Sequence, residues 1–232
     1  MTGASWAVLF DLDGLLVDSE PLWFEVERTV MARLGGQWGP ADQHALIGGS
    51  LDRTVAHVLA KAKRPPPGGP DQVARWLLDG MTELILARGV PVQPGARELL
   101  AEVAGAGIPY ALVTSSARRI MDAALAVTGM SFPVTVCGED VRRTKPDPEP
   151  YLLAAARLDV PPGGCVVLED SPNGVAAARA AGCAVIAVPS VPIPPGPGLV
   201  TAKSLSVVDN TTLEQVAGRN SAGPRQAVSE KL

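Results

Sequence analysis

One stretch decides the fold of this chain: WAVLFDLDGLLVDSE, residues 6–20. Its first five residues are apolar, and a continuous apolar run of this length predicts a strand buried on both faces, as in a parallel sheet. Two carboxylates, Asp11 and Asp13, follow directly, and Gly14 then permits a tight turn. Because like charges at the mouth of a core need a compensating cation, the pair predicts a metal or phosphoryl site at the carboxyl edge of a sheet.

The acidic pair has two other interpretations. One is a solvated surface turn that happens to contain two aspartates. The other is a calcium loop of the EF-hand type, which needs an oxygen ligand at its fifth position and a glutamate at its twelfth. Counted from Asp11, these positions hold Leu15 and Leu22, so the calcium loop fails.

The composition limits the classes of function. The chain has 232 residues, a net charge of −4 and no long basic run, which argues against nucleic acid as a main partner. Three cysteines without a CxxC spacing suit free thiols in a reducing cytosol. Neither a signal peptide nor an apolar run of membrane-spanning length is visible. We therefore expect a cytoplasmic monomer with no membrane partner.

The remaining chain alternates between strand and helix patterns. Apolar runs predict further strands at 108–113, 134–138, 165–168 and 184–188, with a last short strand at 205–208. Helical patterns fill the segments between them and continue in a final helix at 212–217. This order predicts an α/β fold, a doubly wound and mostly parallel Rossmann-like sheet.

Residues 18–91 interrupt this alternation with helical patterns alone. We interpret them as an all-helical cap domain inserted into a core formed by residues 1–17 and 92–218, and we expect a disordered tail at 219–232. Ser19 is expected to cap the first helix of the insert, because Pro21 suits the first helical turn.

Polar residues follow three of the predicted strands. Asp11 and Asp13 end the first, Thr114 with Ser115 and Ser116 ends the second, and Glu169 with Asp170 ends a later one. Since the carboxyl ends of parallel strands share one edge, these groups can converge, together with Lys145 from a proline-rich loop. The plainer alternatives are that Thr114 and the Glu169 pair cap helices and that Lys145 is a solvated surface residue.

With these motifs in place, the chain resembles haloacid dehalogenase superfamily hydrolases. The family's four motifs match in order as DLDG at 11–14, the strand end at Thr114, Lys145-Pro146 and Glu169-Asp170. The runs 18–23, DSEPLW, and 169–174, EDSPNG, resemble the subgroup of β-phosphoglucomutase and hexose-phosphate phosphatases. The resemblance implies the helical cap and covers the chain to about residue 217.

The resemblance also implies a role for each motif residue. Asp11 would be the nucleophile and form an aspartyl phosphate, and Asp13 would be the acid and base. Thr114, Ser115 and Lys145 would bind the substrate phosphate. Mg²⁺ would be held by the carboxylates of Asp11, Asp13, Glu169 and Asp170. The Asp13 backbone carbonyl would be a further ligand. Residues of the cap that could contact the substrate are Glu20, Trp23, Ser50 and Arg53.

The implied activity is Mg²⁺-dependent hydrolysis of a small phosphorylated metabolite, expected to be a sugar phosphate. A β-phosphoglucomutase-like mutase is the alternative. It is disfavoured because those enzymes carry an Arg after the Gly-x-Ser stretch, where this chain has Leu51, and a His where it has Trp23. A phosphoaspartate signalling module is more distant, since such receivers are short and lack a helical insert after the first strand.

Overall fold

A six-stranded parallel sheet forms the centre of the molecule. The computed structural model describes residues 5–196 and 199–221, without the side chains of residues 220 and 221. The strands follow in chain order: β1 Ala7–Phe10, β2 Tyr110–Val113, β3 Val134–Val136, β4 Cys165–Glu169, β5 Ala184–Ala187 and β6 Leu199–Thr201. Their spatial order is β3-β2-β1-β4-β5-β6, so the first strand lies in the middle. The predicted doubly wound α/β fold is confirmed.

Helices cover both faces of this sheet. The helices are α1 Glu20–Arg33, α2 Pro40–His44, α3 Leu51–Lys61, α4 Gly69–Arg88, α5 Ala96–Gly105, α6 Arg118–Thr128, α7 Glu149–Arg157, α8 Pro172–Ala180 and α9 Asn210–Ser221. Val8 and Phe10 of β1 pack with α5, α6 and α9 on one face. Ala7 and Leu9 pack with α7 and α8 on the other. Burial on both faces explains why β1 is an unbroken apolar run.

Helices α1, α3 and α4 form a separate apolar cluster. Val30, Leu77 and Met81 are fully or almost fully buried in it, and Ile120 and Ala123 of α6 join from the core side. The two segments that connect this insert to the core run side by side, because Asp18 N–H donates to the Pro91 carbonyl at 2.8 Å. The structure therefore contains a helical insert, which we call the cap, while its limits at 18 and 91 stay a prediction.

Two predictions near the carboxyl terminus need correction. The last strand is Leu199–Thr201, whereas Leu205–Val207 forms a 3₁₀ turn in which Ser206 N–H donates to the Ser204 hydroxyl. The last helix, Asn210–Ser221, extends beyond both predicted ends, 212 and 217. It begins early because the Asp209 carboxylate accepts from Thr212 N–H. The predicted disordered tail therefore overlaps α9 at 219–221, and its remainder, 222–232, lies outside the described residues.

None of the described helices combines the length and the apolar character needed to cross a membrane.

Candidate active site

Lys145 ties together the strand ends at the carboxyl edge of the sheet. Its Nζ donates to Asp11 Oδ1 at 2.5 Å, to Glu169 Oε1 at 2.6 Å and to the Val113 carbonyl at 2.8 Å. Lys145 is buried, so it is not the solvated surface residue of the plainer interpretation. Burial alone would lower the pKa of Lys145, but the Asp11 and Glu169 carboxylates outweigh this and raise it. The ammonium therefore stays charged at the centre of the site.

Both oxygens of Glu169 are occupied by protein donors. Oε1 also accepts from the Tyr151 hydroxyl at 2.6 Å, and Oε2 accepts from Asp170 N–H, Ser171 N–H and the Ser171 hydroxyl. Burial, followed by the charge of Glu169, raises the pKa of Tyr151, so the phenol remains a donor. Tyr151 could not be predicted from the sequence, because one tyrosine on a helix carries no motif. With five donors, Glu169 needs no metal to satisfy its charge.

Asp170 differs from Glu169, because one of its two carboxylate oxygens has no donor among the described residues. Oδ2 accepts from the Ser190 hydroxyl at 2.6 Å, but Oδ1 is buried and has no partner among the described residues. Burial, and next the charge of Glu169, raise the pKa of Asp170 to about 8. The chain leaves room for this carboxylate at Gly14, where a Cβ would lie 2.1 Å from Asp170 Oδ2. Ser190 could not be predicted from the sequence, because it lies in a loop that no motif marks.

Carboxylate oxygens of Asp11, Glu169 and Asp170 lie within 4.8 Å of one another. Burial first, and then the charge of Glu169, raise the pKa of Asp11 well above its usual range, although Lys145 acts in the other direction. One ammonium thus faces three buried carboxylates. This excess of negative charge, together with the orphaned oxygen of Asp170, fits a hard cation with oxygen ligands such as Mg²⁺.

Hydroxyl groups fix the side chain of Asp13. Ser19 donates to Oδ1 at 2.7 Å, while Ser116 at 2.7 Å and Thr114 at 3.1 Å donate to Oδ2. Ser19 does occupy the N-cap position of α1, but the expected capping bond is not formed, because its hydroxyl donates to Asp13 instead. Both described oxygens of Asp13 point to hydroxyls and not to the three-carboxylate cluster, so its carboxylate is a poorer candidate for the metal than the other acids.

Ser115 and Thr114 have different surroundings. Ser115 lines the cavity above Asp11, and its buried hydroxyl has no partner in the described part of the chain. Thr114 is buried, and its hydroxyl accepts from Ser116 N–H while donating to Asp13. The hydroxyl of Ser115 is thus open to an anion, whereas that of Thr114 is already engaged.

The cap supplies the other wall of the same cavity. Glu20, Trp23 and Ser50 line it as predicted candidates, but Arg53 does not. Arg53 is exposed and its guanidinium donates to the Ala45 carbonyl at 2.7 Å, while Ser50 caps α3 by accepting from Arg53 N–H. The structure thus gives Arg53 a place outside the cavity.

Comparison with known proteins shows that the chain is similar to a family of hydrolases and to phosphatases within it. A family model described as haloacid dehalogenase-like hydrolase matches residues 8–188. The chain is 40% identical to hexitol phosphatase A of Escherichia coli (strain K12) over 78% of its own length and 81% of that protein. It is 36% identical to the phosphorylated carbohydrates phosphatase of Thermotoga maritima over 76% and 81%, respectively. A crystal structure of a CbbY mutant from Rhodobacter sphaeroides with xylulose-(1,5)bisphosphate is similar with a TM-score of 0.81 and 28% identity, over 90% of this chain and 99% of that one.

Proposed function

Because this chain belongs to the haloacid dehalogenase-like hydrolase family, we propose that it is a Mg²⁺-dependent phosphatase of small sugar or polyol phosphates. The observation that carries the proposal is the position of Asp11. Its carboxylate ends the central strand, accepts from the buried Lys145 at 2.5 Å and belongs to the three-carboxylate cluster. The names of the relatives, a hexitol phosphatase and a carbohydrate phosphatase, support the same class of substrate.

Asp11 is proposed as the nucleophile. Its free carboxylate oxygen attacks phosphorus, an O–P bond forms to the aspartate, and the bond from phosphorus to the substrate oxygen breaks. Lys145 holds the other oxygen, Oδ1, which fixes the orientation of the carboxylate before the attack. The Ser115 hydroxyl, which has no partner among described residues, is proposed to donate to a phosphate oxygen, with Thr114 as a further predicted contact.

Asp13 is proposed as the acid and base. In its protonated form it gives a proton to the departing alcohol, and as a carboxylate it then takes a proton from the water that attacks the aspartyl phosphate. The hydroxyls of Ser19, Thr114 and Ser116 hold its rotamer through both steps. This second step returns Asp11 to a carboxylate and releases inorganic phosphate.

The residues proposed to hold Mg²⁺ are Asp11 and Asp170, with the Asp13 carbonyl. When bound, the ion supplies positive charge that offsets the carboxylates and the incoming phosphate. Glu169, whose oxygens accept five hydrogen bonds, is proposed to position Lys145 and not to bind the ion directly.

A mutase of the β-phosphoglucomutase type receives less support. Such an enzyme must bind a second phosphate in the cap, and Lys145 is the one lysine or arginine among the described residues that line the cavity. Trp23 lines the cavity and cannot relay a proton as an imidazole can. We further propose a cytoplasmic monomer whose partners are small phosphorylated metabolites and neither nucleic acid nor membranes.

A colorimetric assay of phosphate release tests the proposed function. The purified protein should hydrolyse p-nitrophenyl phosphate and a panel of hexose and hexitol phosphates with Mg²⁺, and lose this activity with EDTA. Asp11→Asn, prepared in the same way, controls for contaminating phosphatases. Activity that is equal in the variant, or that persists in EDTA, would contradict the proposal.

A further inference from the structure

Two acidic side chains of α1 face the cavity from the cap. Glu20 and Glu27 are seven residues apart, so they lie two turns apart on the same face of the helix, and both line the cavity. Trp23 lies between them on this face and also lines it. The cap therefore turns an acidic stripe with one indole toward the position of the substrate.

Each of the two acids is held by a neutral donor. Gln43 Nε2 donates to Glu20 Oε2 at 3.1 Å and to the Glu20 carbonyl at 2.6 Å. Trp38 Nε1 donates to Glu27 Oε2 at 2.9 Å. These donors fix both carboxyl groups while the second oxygen of each, Oε1, accepts no side-chain bond from described residues. Two positioned oxygens are thus left for a ligand.

Among the residues that the structure describes, no lysine or arginine of the cap lines the cavity beside these acids. Among the described lining residues the one cationic group is Lys145, which is engaged with Asp11 and Glu169 at the opposite wall. Burial raises the pKa of Glu20 and of Glu27 to about 7, with smaller contributions from neighbouring acids. At neutral pH each group is therefore present in both forms, one that accepts hydrogen bonds and one that also donates them.

These observations indicate what the far end of the substrate must be. A second phosphate or a carboxylate would meet only acids and neutral groups on the cap wall, without a cation to replace its lost hydration. Hydroxyl groups both donate and accept, so they match carboxyl groups that occur in both forms, and the indole of Trp23 can pack on a carbon chain.

We propose that Glu20 and Glu27 select substrates whose non-reacting part carries hydroxyl groups and no second anion. This inference rests on the proposed phosphatase function and adds the charge of the substrate class to it. By this inference the substrate of this chain differs in charge from the ligand of the related CbbY mutant, whose structure contains a sugar bisphosphate. An ammonium group is the other chemistry that two acids could bind, so the test includes it.

Three substrates on one carbon skeleton test the proposal: glucose 6-phosphate, glucosamine 6-phosphate and glucose 1,6-bisphosphate. We expect kcat/KM for the bisphosphate to be at least tenfold below that for glucose 6-phosphate. We expect kcat/KM for the amino sugar to be within tenfold of the value for glucose 6-phosphate. Equal use of the bisphosphate, or a preference of more than tenfold for the amino sugar, would overturn the proposal. p-Nitrophenyl phosphate has no hydroxyl groups, so its hydrolysis reports on the phosphatase chemistry alone. If it is hydrolysed but the three sugar phosphates rank differently from this expectation, the proposed selectivity fails while the proposed phosphatase function stands.

Substitutions with amides assign the selectivity to the two residues. Glu20→Gln and Glu27→Gln remove a negative charge and keep the oxygen that Gln43 or Trp38 needs, so the cap fold should persist. Each should raise the ratio of kcat/KM for the bisphosphate to that for glucose 6-phosphate severalfold. Glu83→Gln makes the same charge change on an exposed position of α4 and should leave the ratio unaltered. An unchanged ratio in both cavity variants, or an equal change in the control, would refute the assignment.

Discussion

Replacing Asp170 by asparagine should stabilise the metal-free protein and weaken its response to Mg²⁺. Asp170 is buried beside Glu169, and its pKa is raised from 3.8 to about 8. At pH 7 this difference between the unfolded and folded chain destabilises the fold by about 4 kcal/mol, at 1.36 kcal/mol per pKa unit. Asparagine removes this penalty, but its NH₂ replaces one oxygen in a site where Oδ1 has no described partner. An unsatisfied buried donor costs about 2 kcal/mol, which leaves a net gain of about 2 kcal/mol.

The dependence on pH gives this prediction a definite sign. A carboxyl whose pKa is higher in the folded state binds its proton more strongly there, so stability is highest below the unfolded value of 3.8 and falls as the pH rises toward 8. In EDTA, the free energy of unfolding of Asp170→Asn should therefore exceed that of the wild type by an amount that grows between about pH 4 and pH 8. The other acids of the cluster are present in both proteins.

Urea unfolding at several pH values, in EDTA and then in Mg²⁺, measures both effects. At a Mg²⁺ concentration 100 times its Kd, the wild type should gain about 2.7 kcal/mol, and the variant clearly less. Asp122→Asn, an exposed position on α6, serves as the matched control and should change neither quantity. A variant that is less stable than the wild type in EDTA, or that gains as much from Mg²⁺, would refute the account of this site.

Three further substitutions separate chemistry, positioning and bystander residues. Asp11→Asn should abolish turnover and the phosphoenzyme seen by mass spectrometry after rapid quenching, because an amide is a poor nucleophile; substantial activity in the variant would remove Asp11 from that role. Tyr151→Phe deletes a hydrogen bond to the charged Glu169, about 1.5 to 3 kcal/mol, and should lower kcat about tenfold or more at nearly unchanged KM; a change in KM alone would argue against positioning. Arg53→Ala should leave kcat/KM within twofold, since its guanidinium binds the Ala45 carbonyl outside the cavity; a tenfold loss would show that it reaches the substrate.

The central strand and the site edge could be predicted because each depends on local sequence. Five apolar residues before Asp11 specify a strand buried on both faces, and the parallel sheet then brings the ends of β1, β2 and β4 together. Lys145 could be placed at this edge only through its family motif, since nothing in its loop indicates burial by itself. The contacts with Asp11 and Glu169 confirm that the strand ends and the loop converge.

Other features depend on packing between segments that are distant in sequence, and the chain offers no local signal for them. Tyr151 lies 18 residues before Glu169, and their contact follows from the way α7 packs on the sheet. The bond between Trp38 and Glu27 likewise needs the turn after α1 to fold back. β6 escaped prediction because it is three residues long and follows a proline-rich loop, where no alternating or continuous apolar pattern can develop.

The two walls of the cavity carry charge for different purposes, and this difference can be measured. On the core wall, Asp11, Asp170 and Lys145 line the cavity, Glu169 lies buried beside them and a cation is expected there, so every substrate that presents a phosphate meets the same groups. On the cap wall, Glu20 and Glu27 have neutral partners and meet only the part of the substrate that varies. A substitution on the core wall should therefore lower kcat/KM for all phosphate esters by a similar factor, while one on the cap wall should change their ranking. If Tyr151→Phe reordered the glucose series, or if Glu27→Gln slowed every ester equally, chemistry and selectivity would not be divided between the walls in this way.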